Sequence, residues 1–509
     1  MKNRVFSSVV LLLIILIISC GGSSGGGGGD SVVITLDFSR IDNASGLDPF
    51  KVTASVSNNG APVTGADLSL TIPKGAVSAV TDKNDGNYEF TVTPAGTGIY
   101  PVTVSYGGLS ITREALVVTE LEPGAGQPQL VSGLVNTEGY EDGITITPDG
   151  EYLFIQYGPI YFSGIFLHQT ICAEAGWSMY NLETCPAKSD SNWVFDTIGP
   201  YNTSSRPDFP VGAINSGKLT HISFEVPAVA KGLVLFPTVF YGFKRQSDGT
   251  FAQPFKVAFN DARGTNGPFG LSFQMTSATT AKFAVAWNNY FDGAADGGTT
   301  TGEDDKPDIY HGTITMGQNN SLGDVSYSGE LFSGISPVIT PVGFSSHLGV
   351  QGNPHLYYDG TGEIKSIWTD DEQDTHNLTV YVLTGGSYPS GTWTPVTLPA
   401  KINTAGSESQ PFFTGTRLYL NRDVGIVYHE FSGVHGTADF ADNTKWGNEV
   451  VVLKSGDVTL GGIFGVGEPT IAQRDGKTYL YFAYVETRSA GVVSGRVDYN
   501  LGAAFVELP

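Results

Sequence analysis

Charged residues are scarce in this 509-residue chain: they make up 15% of it, against roughly a quarter in an average protein. Methionine occurs four times, and there are no long runs of Ala, Leu, Glu and Lys at helical spacing. Thr, Val, Tyr, Phe and 66 glycines dominate instead, which is typical of many short strands joined by tight turns. The composition therefore predicts an all-β protein, and the length indicates more than one folded unit.

Basic side chains are also few, with 27 Lys and Arg against 50 Asp and Glu, so the formal net charge is -23. Such a surface repels phosphate backbones, and nucleic acid is therefore not an expected partner. The same charge argues against adhesion to anionic lipid by electrostatics alone. The simplest interpretation is that acidity keeps an exported protein soluble.

Motifs of several common enzyme classes are missing from the sequence. The eight histidines are scattered, and none has the H-x-x-x-H or H-E-x-x-H spacing of a zinc hydrolase. A G-x-S-x-G elbow, a P-loop and a dinucleotide fingerprint are absent as well. These absences lower the expectation of an enzyme without excluding one.

The N-terminus has the three regions of a secretory signal. Lys2 and Arg4 precede an apolar run from Val9 to Ile18, which is too short to span a bilayer. Ser19-Cys20 after aliphatic residues resembles the lipobox of bacterial lipoproteins. The resemblance implies cleavage after residue 19, a lipid on Cys20, and a cell-envelope location on the outer membrane, facing the periplasm or the exterior. Residues 20–30 are a Gly/Ser tract, which predicts a flexible tether.

Two further cysteines, Cys172 and Cys185, remain once Cys20 carries the lipid. An exported protein meets an oxidising compartment, and no histidine-rich context near this pair suggests zinc. We expect a structural disulfide that closes the loop between them.

Residues 31–121 predict a small β-sandwich. Alternating runs at 32–36, 50–56, 66–72, 86–93 and 98–106 are separated by turn signals such as Asn59-Gly60. The order of strands, with an N-G-x-P-V turn and then a T-D-x-x-G-x-Y turn, resembles bacterial Ig-like domains of the invasin type. The resemblance implies an Ig-like fold that acts as a spacer. Residues 122–126 are expected to be a linker.

Residues 127–509 contain a repeated pattern of a polar residue near a Pro, a short strand, a Gly turn and an aromatic-rich strand. Copies begin near Glu141, Gly352, Glu408 and Glu468. Units of roughly 40–50 residues are typical of a β-propeller, here with five or six blades and insertions near 158–212 and 291–308. Pro148-Asp149-Gly150 and the sequence pattern around it resemble the repeats of TolB-type propellers. A β-helix is the structural alternative.

The starts of successive propeller blades converge on one face, which places several polar residues near a common channel. Asn353-Pro354, Gln410-Pro411 and Glu468-Pro469 resemble blade starts of five-bladed glycoside hydrolases, although Asp142-Gly143 departs from the Asp-Pro expected in their first blade. In such enzymes one carboxyl protonates the leaving oxygen and another activates water. The alternative is that these residues bond neighbouring blades and close the ring. The candidate catalytic residues are Glu141, Asp142 and Glu468, and the candidate binding residues at blade starts are Glu408 and Asn353.

Two weaker candidate sites lie in the insertions. Aromatic side chains at Trp177, Tyr180 and Trp193 have the shape to stack on sugar rings. An acidic, Gly- and Thr-rich segment suits calcium, although its spacing does not fit an EF-hand and a solvated loop is the alternative. Its candidate ligands are Asp292, Asp296, Asp304, Asp305 and Asp308.

The sequence as a whole predicts a membrane-anchored lipoprotein whose propeller binds a ligand, either another envelope protein or a glycan. An exported glycoside hydrolase is the alternative prediction, and a purely structural envelope component is a third. No cofactor other than calcium is expected.

Overall fold

The protein is described here by a computed structural model. It describes residues 31–41, 45–133, 135–136, 140–158, 194–196, 218–220, 239–257, 269–288, 307–317, 352–370, 377–389, 391–488 and 498–509. Within these ranges the chain forms strands with almost no helix. The prediction of an all-β protein is confirmed.

Nine strands form the N-terminal unit: β1 (Val32–Arg40), β2 (Phe50–Asn58), β3 (Ala61–Pro62), β4 (Ser69–Thr71), β5 (Ala76–Val77), β6 (Thr81–Asp82), β7 (Asn87–Thr93), β8 (Gly98–Tyr106) and β9 (Leu109–Val117). One sheet contains β1, β2, β3, β5, β6 and β7, and a second contains β4, β8 and β9. Every second residue of β2, β7 and β8 is buried. Phe50, Val52, Tyr100 and Val102 are completely buried in a core to which strands of both sheets contribute. The alternating apolar residues of these strands thus point into one core that the two sheets share.

Residues 118–139 contain two short strands, β10 (Glu120–Leu121) and β11 (Gln129–Leu130). The remaining strands, in chain order, are β12 (Tyr140–Ile146), β13 (Tyr152–Gly158), β14 (Val194–Asp196), β15 (Lys218–Thr220), β16 (Val239–Arg245), β17 (Phe251–Val257), β18 (Phe269–Met275), β19 (Thr280–Asn288), β20 (Pro307–Thr315), β21 (Gly352–Tyr358), β22 (Ile364–Asp370), β23 (Leu378–Gly385), β24 (Thr392–Thr397), β25 (Glu408–Phe413), β26 (Arg417–Arg422), β27 (Gly425–Phe431), β28 (Trp446–Lys454), β29 (Ile463–Arg474), β30 (Lys477–Arg488) and β31 (Asp498–Glu507). A short helix, α1 (Thr437–Ala441), and a 3-10 turn (Asn443–Lys445) lie between β27 and β28.

β14 and β15 pair with each other as a separate two-stranded sheet, and the other strands form five antiparallel sheets in chain order. Sheet 1 contains β12, β13, β16 and β17, sheet 2 contains β18 to β20, and sheet 3 contains β21 to β24. Sheet 4 contains β25 to β28 with β10 at its edge, and sheet 5 contains β29 to β31 followed by β11. The first strands contact one another in the cyclic order β12, β18, β21, β25, β29 and β12 again. The five sheets therefore form a closed ring, a β-propeller-like arrangement.

Aromatic side chains fill the spaces between neighbouring sheets. Phe154 of sheet 1 and Phe273 of sheet 2 have ring centroids 4.4 Å apart. Between sheets 3 and 4, Trp368 packs on Phe413 at 4.7 Å and both belong to a cluster that includes Trp446. Burying each such side chain contributes about 1.5–3 kcal/mol, so the ring is held chiefly by apolar contacts.

The segment predicted as a linker, residues 122–126, packs against the ring. Leu121 and Ala125 belong to a hydrophobic core formed with sheets 4 and 5. The Glu122 amide donates to the Val452 carbonyl at 2.7 Å, and the Gly126 amide donates to the Glu507 carbonyl at 2.8 Å. The prediction of a simple linker was wrong here, because the polar and glycine-rich composition of this segment does not reveal the strands that its backbone meets.

Residues 119–133, which we call the strap, cross the outer edges of three neighbouring sheets. β10 pairs with β28 of sheet 4, β11 pairs with β31 of sheet 5, and Gly133 bridges to Phe251 of sheet 1. β11 also pairs with β9, so sheet 5 continues into the N-terminal unit as one sheet of seven strands. The strap therefore closes the ring from outside and joins the ring to the N-terminal unit.

Candidate functional site

All five inner strands carry the same irregularity near their first residues. Each has a register shift in its pairing with the next strand, as expected for a β-bulge. At each bulge one residue has a positive φ: Gly143, Gly270, Asn353, Gln410 and Glu468. These five equivalent positions face the centre of the ring.

The residue type at a bulge follows from local backbone chemistry. Proline has no amide hydrogen to donate to a ladder, so the three Pro residues after Asn353, Gln410 and Glu468 suit bulges. A non-glycine residue at positive φ costs about 1–3 kcal/mol and must be held by its surroundings. At Gly270 an added Cβ would lie 2.6 Å from the Cα of Asn353, so the approach of the next strand requires glycine.

The bulges surround one cavity of about 70 Å³ at the mouth of the ring. All five inner strands contribute to its wall, among others through Ile144, Ser272, Pro354, Gln410 and Glu468. No Lys or Arg side chain is among the described residues that line it. The mouth thus combines hydrogen-bonding groups with apolar proline surface and offers no cationic partner to an anion.

A chain of hydrogen bonds passes around the mouth from sheet 3 to sheet 4. Asn353 Nδ2 donates to Asp370 Oδ2 at 2.9 Å, and the backbone amide of Gln410 donates to the same oxygen at 2.6 Å. Asp370 is almost completely buried, at 1% exposure. A carboxylate that accepts donors from two sheets holds them together at this point.

The chain continues from sheet 4 to sheet 5 and on to sheet 1. The Glu468 amide donates to Gln410 Oε1 at 2.8 Å, and Gln410 Nε2 lies 3.4 Å from Glu468 Oε1. The Ile144 amide donates to Glu468 Oε2 at 2.9 Å. Four of the five sheets are therefore connected at the mouth by side chains of bulge residues and Asp370.

Two carboxyl groups interact where the last sheet contacts the first. Glu468 extends from β29 to the Ile144 amide, two residues after Asp142 in β12. Burial and the Asp142 carboxyl raise the pKa of Glu468 well above its ordinary value. Burial also raises the pKa of Asp142.

His355 also lies at the mouth and is neutral there. Its Nε2 is 2.9 Å from the Phe413 carbonyl oxygen, and its ring packs on Phe412 with centroids 4.0 Å apart. Burial lowers the pKa of His355 to about 4. It adds no positive charge to the mouth at neutral pH.

Three of the acids predicted for the site are not among the described residues that line the cavity. Asp142 is absent from the lining, and Glu141, its neighbour in β12, is completely buried. Glu408 is also completely buried; it lies 3.2 Å from Arg422 Nε and accepts a bond from Thr404. For these three residues the prediction of a place at the mouth was wrong.

Of the predicted set, Asn353 and Glu468 line the cavity. Asp370 was not singled out as a site residue, although β22 pairs it with Gly352, next to Asn353. The pairing of β21 with β22 is therefore the feature that would have placed Asp370 beside Asn353. Gly143 and Gly270 occupy the equivalent positions of β12 and β18, and no x-Pro pair marks them in the sequence.

The other predicted site residues lie largely outside the described residues. These are Cys20, Cys172, Cys185, Trp177, Tyr180, Trp193, Asp292, Asp296, Asp304 and Asp305. Asp308 lies in β20, where the backbone pairs it with Trp287. Across the described ranges no group of three or more His, Cys, Asp or Glu side chains is arranged to hold a metal ion. No helix in those ranges is long and apolar enough to cross a bilayer.

No protein-family model matches the chain, and no curated protein matches it. Among solved structures, it is similar to an α-L-arabinanase of Cellvibrio cellulosa complexed with arabinohexaose, at 15% identity over 52% of this chain and 84% of that one, with a TM-score of 0.32. It is also similar to an α-L-arabinofuranosidase from Lactobacillus brevis, at 9% identity over 74% and 92%, with a TM-score of 0.36. A protein of unknown function from Bacteroides thetaiotaomicron covers 94% of this chain and 99% of its own length at 11% identity, with a TM-score of 0.27. Likenesses this distant carry no argument about activity.

Proposed function

We propose that this chain is a membrane-tethered lipoprotein of the cell envelope, with an Ig-like β-sandwich followed by a five-bladed β-propeller that binds a ligand at its mouth. Two facing sheets with one alternating core support the sandwich. The cyclic contacts of five inner strands support the propeller. The tether and the envelope location rest on the signal and Cys20 of the sequence.

The observation that carries the binding proposal is the cavity where all five inner strands meet. Bulges place the side chains of Asn353, Gln410 and Glu468 at this point, in a backbone conformation that is costly for non-glycine residues. Backbone strain retained at a cavity is a common feature of binding sites. The mouth of the ring is therefore the best-supported site in the described part of the chain.

The chemistry of the lining favours a neutral, hydroxyl-rich ligand such as a glycan. Amide, hydroxyl and carboxyl groups donate and accept hydrogen bonds, and Pro354, Pro411 and Pro469 offer apolar surface to the CH faces of a sugar. With no lining Lys or Arg among the described residues, an anionic ligand would find no ion pair. A loop of another envelope protein is the alternative ligand.

The geometry favours binding over hydrolysis by the predicted acids. A retaining glycosidase needs two carboxyl groups about 5–5.5 Å apart and an inverting one about 6.5–9.5 Å apart. Of the three candidate catalytic acids, Glu468 alone is among the described residues that line the cavity, whereas Glu141 and Asp142 are not. Glu468 also forms hydrogen bonds to the neighbouring sheets 1 and 4, which is the structural role that was the alternative to catalysis.

A glycan array probed with the full-length chain in detergent tests the proposal, together with a polysaccharide hydrolysis assay. We expect the chain to retain a glycan without releasing reducing sugar. Gln410→Ala, which removes a side-chain amide from the mouth, should lower the affinity for that glycan about tenfold or more. Lys401→Ala, outside the cavity lining, is the control. Turnover that disappears in Glu468→Gln would instead establish the hydrolase, and no retention of any glycan would refute glycan binding.

Replacing Cys20 tests the tether separately. We expect Cys20→Ala to move the protein from the membrane fraction to the soluble fraction, because the lipid has no other attachment point in the proposal. A variant that stays in the membrane fraction would contradict the lipid anchor.

A further inference from the structure

The N-terminal unit and the ring share a strand whose two faces belong to different cores. Ala115 and Val117 of β9 pack in the core of the N-terminal unit, whereas Leu116 and the adjoining Val118 pack in the core that the strap forms with sheets 4 and 5. All four side chains are completely buried. Side chains of a strand alternate between its two faces, so a run of four buried apolar residues needs a neighbour on both sides. The end of β9 is therefore buried only while the N-terminal unit packs against the ring.

Hydrogen bonds and a second strand extend this interface. Ile99 of β8 pairs with Leu116 and packs against the same core of the ring. The Leu116 amide donates to the Pro128 carbonyl at 2.8 Å, and Gln127 Nε2 donates to the Leu116 carbonyl at 2.8 Å. Both polar groups of the Leu116 backbone thus bond to the strap, so separating the two units would break these bonds and expose apolar surface at the same place.

A buried hydroxyl in the loop before β8 fixes the same interface. Thr97 is 4% exposed, and its Oγ1 donates to Asp457 Oδ2 at 2.6 Å while accepting from the Ile463 amide at 3.1 Å. Asp457 precedes β29 and Ile463 is its first residue. The Thr97 carbonyl accepts from Lys74 Nζ at 2.7 Å, within the N-terminal unit. A hydroxyl that donates and accepts toward the ring has one orientation, so it holds the loop at a defined angle to sheet 5.

Close packing of the two units continues at the next residue. Gly98 has φ +129, and an added Cβ would overlap the Gly461 carbonyl oxygen of the ring. Gly96 has φ +145, and an added Cβ there would have nothing within 4 Å. The backbone favours glycine at both positions, and at Gly98 the ring adds a steric requirement. These two glycines are therefore a matched pair that differs in contact with the ring.

We propose that the N-terminal unit is a rigid arm that folds as one cooperative unit with the ring, in place of an independent spacer domain. Beyond the end of β1, the Gly46 amide donates to the Thr119 carbonyl and the Thr119 amide donates to the Lys454 carbonyl of sheet 4, both at 3.1 Å. The nine residues of β1 span about 30 Å. The arm thus holds the ring about that far from the start of β1, where the tether would be attached. This consequence rests on the proposed tether, whereas the interface does not depend on the tether or on what the mouth binds.

Urea unfolding of the full-length chain in detergent tests the rigid arm. All six tryptophans follow residue 126, so their fluorescence reports on the ring, whereas circular dichroism follows the strands of both units. We expect the two signals to change in one coincident transition. Val56→Ala makes a cavity in the N-terminal core, in the sheet that does not continue into sheet 5. In one cooperative unit this distant change should lower the midpoint of the tryptophan transition by about 0.3–1 M urea.

Four further variants complete the test. Ile34→Val, at the residue that pairs with Val56, removes less volume and should shift the midpoint less in the same direction, which guards against misfolding of Val56→Ala. The exposed Thr64→Ala should leave the midpoint unchanged. Gly98→Ala should lower the tryptophan midpoint more than Gly96→Ala, because the added methyl group meets the ring. A wild-type tryptophan midpoint in both Val56→Ala and Ile34→Val, or equal midpoints for the two glycine variants, would overturn the proposal.

Discussion

At the junction between sheets 3 and 4, Asp370 accepts hydrogen bonds from Asn353 Nδ2 and from the Gln410 amide. At the junction between sheets 5 and 1, which we call the seam, the carboxyl of Glu468 accepts from the Ile144 amide at 2.9 Å, and Gln410 Nε2 lies 3.4 Å from it. Both junctions lie next to a bulge of an inner strand. At the first junction the acceptor, Asp370, belongs to the second strand of its sheet, whereas at the seam the acceptor is the bulge residue Glu468 itself, so equivalent positions of one ring use carboxyl groups from different strands.

The junction with the carboxylate acceptor is expected to show the largest effect of a single substitution. Asp370→Ala would leave the backbone amide of Gln410 and the side-chain amide of Asn353 without this buried acceptor. The free energy of unfolding should fall by about 3 kcal/mol or more. Urea unfolding followed by the fluorescence of the buried Trp368 and Trp446 would measure it. Asp370→Asn retains one acceptor oxygen and should lose about half as much; equal losses would contradict the assigned bonds.

The outside of the seam is expected to respond next. Asn136 donates to the carbonyls of Val131 and Ala503 and accepts from the Ala503 amide at 2.7 Å. Asn136→Ala should lower the free energy of unfolding by about 1–2 kcal/mol, because these groups lose their partners. Thermal unfolding checks this value, with the exposed Thr64→Ala as the control. An Asn136→Ala variant as stable as wild type would show that Asn136 does not hold Val131 of the strap to β31.

An effect of similar size is expected from the bulge of sheet 1. Gly143 has φ +60, and an added Cβ would lie 3.2 Å from the Cβ of Gln156. Gly143→Ala should cost about 1–2 kcal/mol, the usual penalty of a left-handed conformation for an L-residue. Gly60→Ala has a similar φ with nothing within 4 Å of the added Cβ, and it isolates the backbone part of the cost in the same chemical-denaturation assay. A cost for Gly143→Ala below that of Gly60→Ala would contradict the close packing of β12 on β13 at this bulge.

Much of the architecture was accessible from the residues themselves. Period-two alternation in 50–56 and 98–106 predicted the strands that share the N-terminal core, and the x-Pro pairs at 353, 410 and 468 marked inner strands. Proline reveals a bulge because it cannot donate to a ladder, whereas Gly143 and Gly270 serve the same purpose without such a mark.

The remaining features depend on contacts between distant parts of the chain. Glu141 and Asp142 are neighbours in sequence and both were candidates for the mouth, but neither is among the described residues that line the cavity. The sequence around Glu408 gives no sign of its partner Arg422, which lies 3.2 Å away in the fold. The strap has the composition of a linker, and its packing arises from strands more than 300 residues away. Local pattern does not encode any of these three outcomes.

A double-mutant cycle between Asp142→Asn and Glu468→Gln, at alkaline pH, tests the closure of the ring most directly. These residues are distant in sequence and touch only if the first and last sheets meet. Each single substitution removes the same repulsion, so the account predicts that the double variant is no more stable than either single one, with a coupling energy of about 1 kcal/mol. Strictly additive effects, within about 0.5 kcal/mol, would mean that the two carboxyl groups are apart and that the ring does not close at this seam.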